Sequence, residues 1–248
     1  MAEFLVLRLD GPLMCFGDVA IDETRPTAEL PSQSMLTGLL ANALGWRSTH
    51  GDRLNRLQER LVYGARRDRM GERLVDYQNA HIAPKQAAWR WRTPGPLERA
   101  GGGSENIQRW RYYIADGCVS VVLTLLPEDE SPTLDDLSKA LQHPARPLFL
   151  GRVSCPPAGF LHDGERVRAD DVRAALELTP PLQRRFLERR TESDGWAQWP
   201  ADGSLGDADG TMVSERFDMR DWIDDLHVGS RLVSGGRIRP AAIQKTEG

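Results

Sequence analysis

Two stretches of this sequence carry residue types at spacings that could do chemistry. In the first, cations alternate with rings: Trp89-Arg90-Trp91-Arg92, then Arg109-Trp110-Arg111-Tyr112-Tyr113. Single-stranded RNA is held in this way, with guanidinium groups along its phosphates and aromatic faces against its splayed bases. Each stacked base contributes on the order of 1–3 kcal/mol. On an extended strand, alternation sends Arg90 and Arg92 to one side and Trp89 and Trp91 to the other. The bland alternative buries the rings in a core or partner and leaves the arginines in solvent. In the second stretch Tyr77, His81 and Lys85 recur every four residues. A metal-independent ribonuclease could use such groups for proton transfer and charge stabilisation, provided a helix put them on one face. This stretch reads as extended and Pro84 interrupts any helix, so the expectation is a protein that is not an enzyme.

Two further constellations are less specific. At Thr24 to Ser34, a loop runs into a helix start where free backbone N–H groups, the Ser32 and Ser34 hydroxyls and Arg25 could hold an anion, although most Ser-capped helices bind nothing. At Phe149 to Pro157, Gly151 would let another backbone approach closely beside Arg152. No G-x-S-x-G, H-E-x-x-H, P-loop or G-x-G-x-x-G occurs, and the pairs Asp170-Asp171 and Asp224-Asp225 lack companion ligands. Cys15, Cys118 and Cys155 have neither disulfide nor zinc spacing. No metal and no cofactor is implied.

The elements that must position these residues follow from periodicity. Residues 3 to 9 alternate as a first strand, which Gly11-Pro12 ends. After the long loop through Gly17, Ser32 or Ser34 caps a helix with Met35, Leu36, Leu39, Leu40, Ala43 and Leu44 on its buried face. A second helix covers about 52 to 61. Val62 to Arg67 and Leu74 to Tyr77 read as strands, and the unpatterned span from His81 to Asn106 as a protruding hairpin with a mobile tip. Val119 to Leu126 is a buried strand, Leu134 to Leu141 a helix, and Pro147 to Leu150 leads into a short strand. That order approximates a split βαβ arrangement, an α+β fold of the ferredoxin-like and RNA-recognition type. Residues 158–248 read as a small, irregular C-terminal region, with Glu192 to Thr211 an acidic flexible loop. Net charge is −4, yet residues 85 to 112 carry six cations (Lys85, Arg90, Arg92, Arg99, Arg109, Arg111) against Glu98 and Glu105. A basic strip on an acidic protein suits a defined RNA path. No apolar run is long enough to cross a bilayer and no secretory signal is read, so a cytoplasmic protein without membrane contact is expected.

Taken in order, Leu9-Asp10-Gly11-Pro12-Leu13, Thr24-Arg25-Pro26-Thr27, Pro31-Ser32-Gln33-Ser34 into Leu39-Leu40, Asn106 to Tyr113 and Leu148 to Pro156 resemble the Cas-five-type subunits, CasD, of type I-E CRISPR Cascade complexes. The resemblance covers residues 1–157 and returns thinly from Arg216-Phe217 to Trp222. It implies a modified RNA-recognition domain over 1–157 with a long β-hairpin thumb at about 79–109. It implies a non-catalytic subunit that binds the 5′ handle of the crRNA against the end of the CasC backbone filament. The large subunit CasA would dock alongside, and target DNA would be met only through the complex. The handle cradle carries over to Gly11, Pro12, Gly17, Arg25, Thr27, Ser32, Gln33, Ser34, Arg109, Trp110, Arg111, Tyr112, Gly151, Arg152 and Ser154, with Arg90, Trp91 and Arg92 on the thumb. Two positions depart from the family: Gln33 and Val153 stand where it carries basic residues. Related type I-C subunits cleave RNA with Tyr, Lys and His, the Lys and His adjacent. No Lys-His pair exists here, so cleavage would fall to CasE. The alternative is a metal-independent crRNA-processing endoribonuclease using Tyr77, His81 and Lys85.

Overall fold

The computed structural model describes residues 1–20, 22–82, 105–182, 195–201 and 211–240, with backbone alone at 81, 82, 105 and 106. Arg90, Trp91 and Arg92, the tip of the expected thumb and most of the expected acidic loop lie outside the described residues. The chain is α+β and mostly sheet, with four helices among the described residues.

The strands β1 (Ala2–Asp10), β4 (Leu61–Arg69), β7 (Cys118–Leu125), β8 (Arg166–Ala169), β9 (Gly195–Pro200), β10 (Met212–Asp221) and β11 (Leu226–Ile238) form one sheet in the order β10-β11-β9-β4-β7-β1-β8. Every neighbouring pair in it is antiparallel. All eight residues of β7 are buried, because both faces of this sheet are covered. Leu5, Leu7 and Leu9 of β1 point with Val121 and Leu123 towards α1 (Gln33–Ala43), α2 (Gly51–Arg60) and α3 (Leu134–Gln142). Phe4 and Val6 point the other way with Val122, towards α4 (Val172–Leu178). That two-residue alternation is the strand period. On the α4 side the sheet also buries charge. The Arg66 Nε donates to Asp68 Oδ1 at 2.7 Å, and its Nη1 reaches the Leu176 carbonyl and, at 2.9 Å, the Thr179 carbonyl at the end of α4. A cation there meets otherwise unpaired helix carbonyls.

A second, four-stranded sheet is built around β6 (Glu105–Ala115), which pairs with β5 (Glu72–Ile82) along its length and with the two-residue strands β2 (Leu13–Met14) and β3 (Thr24–Arg25). The β5–β6 pair is the base of the expected hairpin.

Three expectations need correction. Pro147 to Leu150 leads into no strand; Gly151 turns the chain at once, and β8 is the strand that follows α3. Gly195–Pro200 is not loop but β9, held by Ala197 in the core and by Trp199, which packs on the α4 cluster with Arg173 5.3 Å over its ring. Residues 212–238 are not irregular but a long hairpin continuous with the main sheet.

Helix α3 opens with a capping box: Thr133 Oγ1 accepts the Asp136 N–H, and the Asp136 carboxylate accepts the Thr133 N–H at 2.9 Å. The Thr133 backbone and side chain hold the Asp136 carboxyl below its ordinary range. A depressed carboxyl stabilises the fold above its unfolded pKa of about 4 and loses that contribution as pH falls through the folded value. Thr133→Ala is expected to cost about 1 kcal/mol by denaturant titration. The stability gap between wild type and Asp136→Asn should be constant from pH 7 to about 5 and close as the pH falls below about 4.

Candidate functional site

Helix α1 begins where the sequence places it, with the Ser32 Oγ accepting the Met35 N–H at 3.2 Å and lying 3.3 Å from the Ser34 Oγ. Its first N–H is already taken. Gln33 N donates to Asp218 Oδ2 at 3.0 Å, and the buried Gln33 side chain donates to the Gln58 carbonyl at 2.6 Å. Gln33 therefore ties α1 to the end of α2 and to β10. Thr27 is likewise buried: its Oγ1 accepts the Phe16 N–H and donates to the Ala28 carbonyl, both at 3.0 Å.

The loop after Leu150 is fixed by a backbone contact. Cys15 N donates to the Leu150 carbonyl at 2.9 Å, and Gly151 adopts φ +94° directly against Cys15. A Cβ on Gly151 would lie 1.6 Å from the Cys15 carbonyl oxygen, so no other residue fits. Gly11 is nearly as confined, since a Cβ there would sit 2.9 Å from both Leu150 and the Pro156 carbonyl. The neighbouring Pro12 carbonyl accepts the Asp116 N–H at 3.0 Å. Arg152 then spreads over the second sheet. Its Nη1 donates to the Tyr112 carbonyl at 3.2 Å, its Nη2 to the Arg25 carbonyl at 3.0 Å, and its guanidinium lies 4.8 Å over the Tyr113 ring. Ser154 is exposed, 3.5 Å from the Tyr113 hydroxyl.

Strand β6 divides the basic-aromatic strip between two faces. Arg109 and Arg111 share one face with Tyr113, while Trp110 and Tyr112 occupy the other. Trp110 stands opposite Tyr77, ring centroids 5.2 Å apart. Arg25 lies beside Arg111 in parallel register. Among the described residues no carboxylate pairs with Arg25, Arg109 or Arg111; the first two spend hydrogen bonds on nearby carbonyls. Like charges side by side without a counterion favour binding an anion.

Next to this row opens a cleft of about 1070 Å³. One wall is the loop from Cys15 to Ala20 with Gly151 and Arg152; the floor is α1 from Ser32 to Asn42; the far wall is the β10–β11 hairpin. The predicted residues Gly17, Ser32, Ser34, Gly151 and Arg152 meet here. Gly11, Pro12, Thr27, Gln33 and Ser154 do not line it, nor do Arg25 and Arg109 to Tyr112 on the second sheet. The far wall adds Glu215, Arg216, Phe217, Asp218, Arg220, Trp222 and His227, of which the sequence signalled only 216–222, through the thin similarity there. Phe217 is 66 % exposed, and the Arg220 guanidinium lies 5.0 Å over Trp222. Cations and an open ring in one cleft can take phosphates and stack a base. Cys15, the cysteine at the cleft wall, is buried, and away from the cleft burial pushes the Cys118 thiol up to about 12 and raises that of Cys155. Among the described residues no three His, Cys, Asp or Glu side chains are grouped to hold a metal ion.

A family profile described as CRISPR-associated protein (Cas_Cas5) matches residues 4–234, and the chain belongs to that family. It is 31 % identical over 180 residues to the CRISPR system Cascade subunit CasD of Escherichia coli (strain K12), spanning 73 % of this chain and 79 % of that one. A chain of a solved CRISPR RNA-guided surveillance complex superposes with a TM-score of 0.66 at 27 % identity, covering 96 % of this chain and 90 % of the other. A crystal structure of a Cas protein shares the fold at 24 % identity, with a TM-score of 0.62 over 95 % of each chain.

Gly151→Ala should destabilise the protein by at least about 1–3 kcal/mol, the range for a strained backbone position. The check is a lowered denaturant midpoint at unchanged slope. A wild-type midpoint would show that the contact with Cys15 is not rigid.

Proposed function

We propose that this chain is a non-catalytic, cytoplasmic subunit of a Cascade-type surveillance complex, gripping the 5′ handle of the crRNA and capping the backbone filament. The observation that carries the reading is the convergence, in a member of this family, of the 15–20 loop, the α1 start, Arg152 and the hairpin arginines on one cleft, beside the unpaired row of Arg25 and Arg111. A CasC-type backbone subunit would close over the handle, a CasA-type large subunit would dock alongside, and target DNA would be reached through the complex. The strand order β8-β1-β7-β4, with helices between β1 and β4 and between β7 and β8, supports the RNA-recognition-type reading. Because both faces of that sheet are covered, the RNA is taken at its loops rather than on its face. Among the described residues no helix is long and apolar enough to cross a membrane.

The non-catalytic assignment is supported by β5. Tyr77 and His81 lie on an extended strand, so four residues separate them by about 13 Å of backbone. Lys85 lies outside the described residues.

Incubation with precursor RNA in EDTA should leave the RNA intact; handle-generating cleavage abolished by His81→Ala would overturn the non-catalytic reading in favour of a metal-independent endoribonuclease. Arg111→Ala and Arg216→Ala should each weaken handle binding by ~1–3 kcal/mol, the range for charge-assisted bonds. Each should also flatten the salt dependence by about 0.7 in log K per log salt, the single-strand value for one lost phosphate contact. Filter binding across a salt series reads both, and unchanged affinity in both variants would remove the site.

A further inference from the structure

The far wall of the cleft is held in place by one carboxylate. Asp218 on β10 is only 5 % exposed. Its Oδ2 accepts the Gln33 N–H at the start of α1 at 3.0 Å. Arg231 on β11 grips both of its oxygens, Nε to Oδ1 and Nη2 to Oδ2, each at 3.0 Å. Arg231 in turn lies 4.7 Å over the Tyr63 ring and donates to the Tyr63 hydroxyl, which donates to the Pro31 carbonyl at 3.0 Å. Burial opposes the charge on Arg231, but Tyr63 and Asp218 more than offset it, and its pKa is raised. A continuous polar chain thus runs from the hairpin to α1 and to the residue just ahead of the Ser32 cap. The same hairpin is pinned lower down by α2: Gln58 exchanges two hydrogen bonds with the backbone of Arg220, and Asn55 accepts the Trp222 N–H at 2.9 Å.

We propose that Asp218 and Arg231 are positioning residues for RNA, a role that rests on reading the cleft as the handle site. Asp218 shows the cleft only a 5 % exposed edge, Arg231 does not line it, and neither is a phosphate ligand. Asp218 is a built-in anion at the α1 N-terminus, occupying the place where a phosphate would otherwise be drawn. RNA phosphates are therefore left to Arg216 on the wall facing α1, where Arg220 is already paired with Asp225. The Asp218 bond to the Gln33 N–H and the Arg231–Tyr63–Pro31 chain fix how far that wall stands from Ser32 and Ser34, and the bidentate Asp218–Arg231 pair joins the two anchors, so together they fix the width into which a base and its phosphate must fit. A two-pronged Arg–carboxylate contact is geometrically stiff enough for this purpose.

The test measures binding of a synthetic single-stranded RNA carrying the repeat-derived 5′ handle to the full chain, across a salt series, at a temperature where every variant is folded. Asp218→Asn should bind about tenfold more weakly, the size of effect a non-contacting residue exerts through its network. The slope of log K against log salt should stay at the wild-type value, because no phosphate contact is lost. Arg216→Ala is the comparator and should flatten that slope. If Arg216→Ala changes nothing, the reading of the cleft fails and the proposal falls with it. If Arg216→Ala weakens binding while folded Asp218→Asn binds as wild type, the positioning role alone is wrong. A lowered melting temperature with unchanged affinity marks a purely structural brace and overturns the proposal, as does a slope altered like that of Arg216→Ala. Should Asp218→Asn fail to fold, Arg231→Lys keeps the charge, loses the second prong and the ring contact, and carries the same expectations.

Discussion

A backbone N–H at the start of α1 meets a carboxylate from a strand 185 residues further along the chain, and the site exists because of that contact. Gln33 and Asp218 are each buried, so the bond between them is shielded from water and neither group can be left unpaired without cost. Through it the first helix, which supplies the floor of the cleft, is joined to the hairpin that supplies its far wall. The near wall has a comparable anchor in the Gly151–Cys15 contact, where the backbones approach too closely for any side chain. Two backbone-level constraints, set by residues that need never touch a ligand, therefore fix three chain segments around one space.

The distribution of charge follows the same logic. The protein is anionic overall, and many of its described arginines are committed: Arg66 to Asp68 and the end of α4, Arg8 to Glu165, Arg69 to Asp10, Arg231 to Asp218. Those side chains stabilise the sheet and are unavailable for binding. Among the described residues Arg25 and Arg111 stand side by side on β3 and β6 with Arg109 nearby on β6, and Arg216 on β10 faces the cleft, none of them paired with a carboxylate. An acidic background with a localised basic row confines a polyanion to a path and discourages adsorption elsewhere.

Much of this was legible in the sequence. Strand β1, helices α1 and α3 and strand β7 follow from clean periodicity and from Ser32 and Thr133 in cap positions. Strand β9 was not, because Trp196, Ala197 and Trp199 sit in a stretch rich in Gly and Asp that reads as loop until the neighbouring strands are known. The β10–β11 hairpin was obscured by register shifts between Arg216 and Arg220, which break the alternation a reader looks for. Of the site, the loop, the helix start and the Gly151 turn were recognisable, since each depends on local backbone chemistry. The far wall was not, since no local pattern says that residues 216–227 fold back onto residue 33. Gln33, a departure from the family's basic residue, is explained by the fold: it binds the end of α2 instead of facing solvent.

The most direct measurement is photo-crosslinking of a crRNA with 4-thiouridine placed through its 5′ handle, assembled with this chain and its complex, followed by peptide mapping. Crosslinks concentrated in residues 15–20, 151–152 and 216–227 are the predicted result. Handle crosslinks confined to the α4 side of the main sheet, or to other subunits alone, would contradict the assignment of this cleft.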